Sequence, residues 1–311
     1  MAVDIRIGYL TTLYHTSFIL IGSDLIEGQD IRASWKLFPN GPAMMDAFDR
    51  KELDMGYIGL PPAMIGIDRG IKIKCIAGGH VEGTVLIGGH NYQALRTTKE
   101  TLLQFEGKSI GTPRQGSIHD VILRKLIKNS GLANDITIKN FEWADFILDA
   151  MIDGEVDGGC GTPPLAVLAM HQMNSKILVS PAAMWGFNPS YGIVATESII
   201  RDSPCVLAIF LKLHEDACNL LREQPEEAAR LVHNTFKLID KDFALEVFRV
   251  SPKYCASLPG EYINSSMAFI PVLKDMGYLA RELKKEDVFC TEIIKDVHPK
   301  GHHYDNPGQL R

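Results

Sequence analysis

Residues 11–17 form a polar segment whose side chains suit the binding of a small polar molecule. Five hydroxyls and one imidazole occur within these seven residues. A strand-to-helix turn needs a single capping hydroxyl, so the surplus favours a site that hydrogen-bonds a ligand. Helix capping combined with ordinary surface polarity is the alternative for any one of them. The candidate ligand-binding residues here are Thr11, Thr12, Tyr14 and His15.

Residues 112–119 form a second polar segment, directly before a predicted helix that begins near Asp120. The free backbone amides at a helix start attract anionic groups. Gly116 permits close approach of a ligand, and Arg114, Ser117 and His119 add hydrogen-bond donors. We predict an anion subsite here, with Arg114 as the charge partner. The alternative is a capped helix with Arg114 in solvent.

Further candidates lie at the ends of predicted strands and where the chain passes between predicted lobes. Glu82 is suited to a cationic group of a ligand or to capping a nearby turn, and Tyr191 is suited to stacking on a ligand or to the core. The candidates of this group are Asn40, Pro61, Glu82, Thr162 and Tyr191.

Cys160 lies in a glycine-rich strand end that is predicted to face the cleft. A nucleophilic cysteine needs a base, and His15, His80 and His119 are candidates, but a buried inert thiol is the preferred interpretation. The C-terminal histidines also have metal-ligating side chains, but a solvated tail is preferred for them. We therefore predict no metal and no cofactor. These histidines are His298, His302 and His303.

The elements that position these groups follow from an internal repeat. Ile7-Gly8 recurs as Ile110-Gly111, and Asp54 recurs as Asp157, each displaced by 103 positions. Each copy predicts alternating strands and helices, which favours two α/β lobes with mainly parallel sheets flanked by helices. Ligands bind such sheets at the carboxyl ends of the strands, so the polar segments are expected to face a shared cleft.

The order of the predicted strands implies that the chain crosses between the lobes twice. Lobe 1 is predicted to contain residues 1–88 and 195–311, and lobe 2 residues 89–194, with the two crossings forming a hinge. The pattern between residues 198 and 283 is helical and carries no predicted chemistry.

Composition excludes several classes of protein. A hydrophobic content of 46% and a charged content of 23% disfavour a disordered chain. The net charge of −6 without a basic stripe disfavours a nucleic-acid partner. Six scattered cysteines argue for a reducing compartment and against a disulfide framework.

The chain resembles the type II periplasmic substrate-binding proteins of the nitrate, sulfonate, taurine and thiamine-precursor group. The resemblance rests on the first strand, residues 5–9, on the strand at 107–111, and on the Gly116-Ser117 pair that follows it. It implies a two-lobed type II fold that captures a small polar, anionic or zwitterionic organic ligand by closure. The helix amides would hold the ligand's anionic end.

The resemblance also implies partners and a location. A monomer is expected to deliver its ligand to the permease of an ABC importer, outside the cytoplasm if a leader has been removed. The printed chain shows no leader, so a cytoplasmic location stays the alternative. Enzymes share this fold, and a desulfinase-like or pyrimidine-synthase-like activity that uses Cys160 or a cleft histidine is the second hypothesis.

Overall fold

The computed structural model describes residues 2–305, and this part of the chain forms two five-stranded sheets flanked by helices. The strands are β1 (Val3–Leu10), β2 (Ile31–Phe38), β3 (Met55–Ile58), β4 (Ile73–Val81), β5 (Val85–Gly88), β6 (Ser109–Pro113), β7 (Thr137–Phe141), β8 (Gly158–Gly161), β9 (Lys176–Val179) and β10 (Pro189–Thr196).

The helices lie between the strands and after β10. They are α1 (Thr16–Gly22), α2 (Gly41–Asp49), α3 (Leu60–Asp68), α4 (Thr98–Leu103), α5 (Ile118–Asn129), α6 (Phe146–Ile152), α7 (Pro163–Met173), α8 (Pro181–Met184), α9 (Glu197–Asp202), α10 (Pro204–Glu223), α11 (Pro225–Thr235), α12 (Lys241–Val250), α13 (Gly260–Met267), α14 (Phe269–Asp275), α15 (Lys285–Val288) and α16 (Glu292–Val297).

The two sheets share one topology. Their strand orders are β2-β1-β3-β10-β4 and β7-β6-β8-β5-β9. In the first sheet β10 runs antiparallel to both of its neighbours, and β5 does the same in the second. The parallel pairs β1–β2 and β1–β3 correspond to β6–β7 and β6–β8. The predicted α/β architecture with mainly parallel sheets is therefore confirmed.

The glycines of the repeat explain part of this likeness. Gly8 pairs with Gly56 across β1 and β3, and Gly111 pairs with Gly159 across β6 and β8. A Cβ at Gly56 would lie 2.7 Å from the sulfur of Met44 on α2, which is closer than real atoms approach. Glycine at these positions lets a helix pack directly on the strand backbone.

The aspartates of the repeat lie in equivalent places. The Asp54 carboxylate accepts the backbone N–H of Arg6 at 2.8 Å, and the Asp157 carboxylate accepts that of Ser109 at 2.9 Å. In return, the N–H groups of Asp54 and Asp157 donate to the carbonyls of Arg6 and Ser109. Each aspartate thus fixes the register where the third strand of its repeat begins, β3 in one copy and β8 in the other.

The chain passes between the sheets at residues 82–84 and again at 180–188. Because β5 pairs with β8 and β10 begins at Pro189, residues 85–88 join the second sheet and residues 189–194 the first, unlike the predicted boundaries at 88 and 195. Glu82 and Phe187, one in each crossing, have positive φ values of 62° and 55°. The Phe187 N–H donates to Glu82 Oε1 at 2.9 Å, so the two crossings are hydrogen-bonded to each other.

The segment after β10 is helical, as predicted, and α10 packs against α1, α11, α16 and β4.

The prediction of a solvated C-terminal tail is wrong for the described residues. Tyr304 is fully buried, its hydroxyl donates to the Cys255 carbonyl at 2.6 Å, and His298 is also buried. Among residues 2–305, no helix combines the length and apolarity needed to span a membrane.

Candidate ligand-binding site

A cavity of about 40 Å³ lies between the carboxyl ends of the two sheets. That volume has room for roughly three water molecules. The lining residues from the first sheet and its helices are Leu10, Thr11, Thr12, Tyr14, His15, Pro39, Asn40, Gly41, Gly59, Pro62 and Ser190. Those from the second are Pro113, Ser117, Ile118, His119, Ala144 and Thr162.

The first polar segment reaches the cavity because β1 ends at Leu10 and α1 begins at Thr16. His15 occupies the N-cap position of α1, but its side chain makes no capping hydrogen bond. The Tyr14 hydroxyl lies 2.7 Å from the Ser190 hydroxyl, so a residue of β10 is tied to this turn.

Behind this turn, aromatic and imidazole rings pack as a buried layer. The His15 ring lies 4.0 Å from the ring of Tyr191, and the His80 ring lies 4.7 Å from that of Tyr14. Burial holds the pKa of His15 well below its ordinary value, helped by the neighbouring histidines, and burial lowers the pKa of His80 to about 3. Both rings are therefore neutral at pH 7.

The second polar segment contributes the start of α5. Ser117 is the N-cap, and its hydroxyl accepts the Asp120 N–H at 3.3 Å. The amides of Ile118 and His119 lie in the first turn, where a helix leaves its N–H groups without an intrahelical acceptor. Ser117, Ile118 and His119 all line the cavity.

Gly116 and Arg114 do not line the cavity. The Gly116 N–H donates to Asp120 Oδ2 at 2.9 Å, so a carboxylate of the chain itself takes the amide that was predicted to hold an anion. Arg114 is 43% exposed at its side chain and lies 3.8 Å from Glu142. Of the residues predicted to form the anion subsite, Ser117 and His119 line the cavity, and Arg114 and Gly116 do not.

His119 links the cavity to the first crossing. Its Nδ1 lies 2.9 Å from the Thr84 hydroxyl. Burial lowers the pKa of His119 to about 4, so this imidazole is also neutral at pH 7.

Asn40 connects the two lobes at the cavity edge. Its side-chain oxygen accepts the Ala43 N–H and caps α2, while its Nδ2 donates to the Glu142 carbonyl at 2.8 Å. Beside it, Gly59 lies so close to Ile118 that an added Cβ would be 3.1 Å from that side chain. The lobes are thus in contact around the cavity.

Two candidates lie next to the residues that line the cavity. Pro62 lines it and Pro61 does not, and Ser190 lines it in place of Tyr191. Tyr191 is fully buried, and its hydroxyl accepts the Thr16 N–H at 3.2 Å. Side chains alternate along a strand, so the aromatic residue faces the core and its neighbour the ligand side. That alternation is the signal by which Ser190 was identifiable.

Glu82 belongs to the crossings and not to the cavity. Its carboxylate accepts the Phe187 N–H and lies 2.7 Å from the Lys253 ammonium. These contacts satisfy the buried carboxylate, so the predicted role in recognising a ligand cation is not supported.

Cys160 also lies outside the cavity lining. It is fully buried, its thiol donates to the His119 carbonyl at 3.7 Å, and burial raises its pKa above the ordinary value. Such a thiol is protonated at pH 7, and the thiolate is the nucleophilic form.

The cavity is polar but carries no full charge. Among the described residues that line it, none is an aspartate, glutamate, lysine or arginine. Its polar groups are hydroxyls, neutral imidazoles, the Asn40 amide and the backbone amides at the start of α5. This arrangement can hold a small polar group by hydrogen bonds and offers no carboxylate to a cation.

Comparison with known proteins identifies the family. The model of the NMT1-like family matches residues 2–235. The chain belongs to the NMT1-like family. A Brucella abortus (strain 2308) protein, provisionally named a binding protein, is 24% identical to this NMT1-like chain over an alignment of 247 residues that covers 77% of this chain and 73% of the relative.

Solved structures show the same fold. The ligand-binding component of an ABC-type import system from Staphylococcus aureus has a TM-score of 0.78 at 15% identity, covering 96% of this NMT1-like chain and 99% of that one. The alkanesulfonate-binding protein SsuA of Xanthomonas axonopodis pv. citri, bound to MOPS, has a TM-score of 0.77 at 18% identity, covering 92% and 98%. The periplasmic nitrate-binding protein NrtA of Synechocystis PCC 6803 has a TM-score of 0.76 at 12% identity, covering 99% and 92%. The NMT1-like chain therefore has the type II periplasmic-binding-protein fold.

Proposed function

We propose that this NMT1-like protein is a solute-binding protein that captures a small polar, anionic or zwitterionic organic ligand by closure of its two lobes. The cavity shared by both lobes and lined by uncharged hydrogen-bond donors carries this proposal. Ligand contacts from both lobes form only in the closed state, so the ligand stabilises closure.

The chemistry of the lining supports an oxyanion head group, such as that of a sulfonate or a nitrate-like anion. Hydroxyls, imidazole N–H groups and the amides of Ile118 and His119 all donate hydrogen bonds. Hydrogen bonds to a charged group contribute about 1.5–3 kcal/mol each, so several of them replace a counter-cation. The positive end of the α5 dipole adds to this preference.

The proteins of similar fold support a proposal about the transport partner and the location of this protein. The NrtA structure is of a periplasmic nitrate-binding protein, and the Staphylococcus aureus structure is of the ligand-binding component of an ABC-type import system. We therefore propose that this protein acts outside the cytoplasm as a monomer, delivers its ligand to an ABC permease and returns it chemically unchanged. The position of Cys160 outside the cavity gives no support to a cysteine-dependent reaction.

A thermal-shift screen followed by native mass spectrometry tests the proposal. The panel contains alkanesulfonates, nitrate and other small oxyanions, amino acids and thiamine precursors. At a hundredfold excess over its dissociation constant, a ligand adds about 2.7 kcal/mol to the free energy of unfolding. Stabilisation by an oxyanion, with the ligand recovered at unchanged mass, is expected. Stabilisation only by cations, or conversion of the ligand, would contradict the proposal.

Ser117→Asp tests the recognition of an anion directly. Aspartate also caps a helix start, so α5 should remain folded while a negative charge enters the cavity. We expect oxyanion affinity to fall at least a hundredfold through like-charge repulsion. Thr97→Asp is the matched control, because Thr97 caps the exposed helix α4 and, like Ser117, has an acid three residues later. Equal affinities of the two variants would remove the anion subsite.

A further inference from the structure

Four metal-ligating side chains meet at the outer edge of the first sheet, away from the ligand cavity. Glu215 comes from α10, Cys255 from the loop after α12, and His298 and His303 from the segment that follows α16. None of the four lines the cavity. Glu215, Cys255 and the pair of histidines come from three segments about 40 residues apart, so only the fold brings them together.

The distances between their donor atoms suit a tetrahedral ion. The Cys255 sulfur lies 3.5 Å from His298 Nε2 and 3.9 Å from His303 Nδ1. Glu215 Oε1 lies 3.5 Å from the same nitrogen of His298 and 3.2 Å from that of His303. All four donor atoms lie within 4.8 Å of one another. Zinc bonds of about 2.0–2.3 Å place tetrahedral donors about 3.3–3.6 Å apart.

Backbone groups orient two of the donors toward one point. The N–H groups of Ser257 and His303 both approach the Cys255 sulfur at 3.4 Å. Such donors stabilise a thiolate, which is the form that binds a metal. The Ala256 N–H donates to Glu215 Oε2 at 2.7 Å and leaves Oε1 to face the histidines.

A carbonyl sets the orientation of His298. The Lys300 carbonyl lies 3.1 Å from His298 Nδ1 and can only accept, so Nδ1 carries the proton. His298 Nε2 is therefore the nitrogen that faces Cys255 and Glu215 and is positioned to bind an ion. Metal-bound histidines in proteins are held in the same way by an acceptor on their other nitrogen.

We propose that Glu215, Cys255, His298 and His303 form a zinc site that fastens the C-terminal segment to α10 and to the loop around Cys255. The thiol releases its proton to solvent when the ion binds, and the thiolate and the carboxylate balance the charge of Zn²⁺. Four protein ligands fill a tetrahedral site and leave no position for a substrate, so the role is structural. The mixture of sulfur, nitrogen and oxygen donors favours Zn²⁺ over Mg²⁺ or Ca²⁺.

The zinc content of the intact chain tests whether this site binds the metal. The protein is produced without a histidine tag, stripped with a chelator, reconstituted with Zn²⁺, desalted and measured by inductively coupled plasma mass spectrometry. We expect about one zinc per chain and a higher midpoint of thermal unfolding than in the stripped protein. Less than a tenth of an equivalent retained by the wild type would overturn the proposal.

Absorption spectra with Co²⁺, recorded for the wild type and for variants, identify which residues bind the metal. Co²⁺ added to the stripped protein should give a thiolate charge-transfer band and the intense visible bands of a tetrahedral ion. Cys255→Ser should remove the charge-transfer band, and His303→Gln should weaken zinc binding more than a hundredfold. Cys205→Ser and His171→Gln, both at exposed positions, are the matched controls.

Each variant is checked by far-UV circular dichroism. His303 is only partly buried, so His303→Gln should fold. This variant tests the zinc site even if Cys255→Ser fails to fold. Zinc retained equally by His303→Gln and by the control variants would mean that the ion binds elsewhere, and the proposal would be wrong.

Discussion

The first helices of the two repeats, α1 and α5, begin at the same cavity with different chemistry. The loop that leads into α5 is tied to the helix, because Asp120 accepts the Gly116 N–H and also binds Arg124 and Asn140. The start of α1 has no acid in its first turn. It instead presents His15, which does not cap the helix. One backbone plan thus supports two kinds of helix start at the cavity. The α5 start is held by a buried carboxylate while its Ile118 and His119 amides still face the cavity, and the α1 start has no such carboxylate.

The hydrogen-bonding state of the buried groups makes the contrast sharper. His15 Nδ1 and Ser17 Oγ have no hydrogen-bond partner among the residues that the structure describes, whereas the buried Asp120 carboxylate has several. A buried polar group without a partner costs about 1–3 kcal/mol. The start of α1 therefore gives up stability through these two groups, and the start of α5 gains it through Asp120.

Asp120→Ala should have the largest effect on stability. It removes a fully buried carboxylate and leaves Arg124 and the Gly116 amide without their acceptor, so we expect a loss of about 3–5 kcal/mol in the free energy of unfolding. Ser17→Ala in the other lobe removes a buried hydroxyl that has no partner among the described residues, so it should leave the free energy of unfolding unchanged or raise it by up to about 3 kcal/mol. Urea unfolding of both variants measures the difference, and equal losses would break the contrast between the two helix starts.

Acid should destabilise both lobes through their buried histidines. Burial lowers the pKa of His214 in lobe 1 and of His119 in lobe 2 to about 4, from an ordinary value of 6.5. Between pH 6.5 and 4 the unfolded chain binds protons that the folded chain does not, so stability falls as the pH falls through this window. Each histidine contributes about 1.4 kcal/mol per pH unit there.

Unfolding free energies at pH 7, 6 and 5 measure this dependence. His214→Gln and His119→Gln should each flatten the slope by the same amount, and the exposed control His90→Gln should leave it unchanged. A slope that flattens in only one of the two variants would show that the lobes differ in how they exclude protons.

The paired aspartates give the smallest expected difference. Asp54 accepts the backbone N–H and two side-chain N–H groups of Arg6, whereas Asp157 accepts the backbone N–H and hydroxyl of Ser109 and the Tyr92 hydroxyl, none of which is charged. Arg6 is half exposed, so solvent screens its ion pair. We expect Asp54→Asn to cost about 1 kcal/mol more than Asp157→Asn in urea unfolding. The difference should vanish in an Arg6→Gln background, and its persistence there would assign it to the backbone contact.

Much of the cavity followed from local sequence patterns. A surplus of hydroxyls between a predicted strand and a predicted helix identified Thr11, Thr12 and Tyr14, which line the cavity. Gly116 and Arg114 were predicted to hold an anion beside the free amides of a helix start, but the Asp120 carboxylate accepts the Gly116 N–H, and the Arg114 side chain lies at the surface. A helix start reveals its free amides in the sequence, but not which nearby acid folds back onto them.

The sequence by itself determined the two-lobed architecture. Glycines and aspartates at a constant displacement specify close strand packing and register, and these are local backbone requirements that a pattern of residues records. The tertiary structure decided which polar groups meet, such as Tyr14 with Ser190 and Cys255 with His298. These contacts join residues that are distant in sequence, and their geometry depends on how helices and sheets pack, which no local spacing encodes.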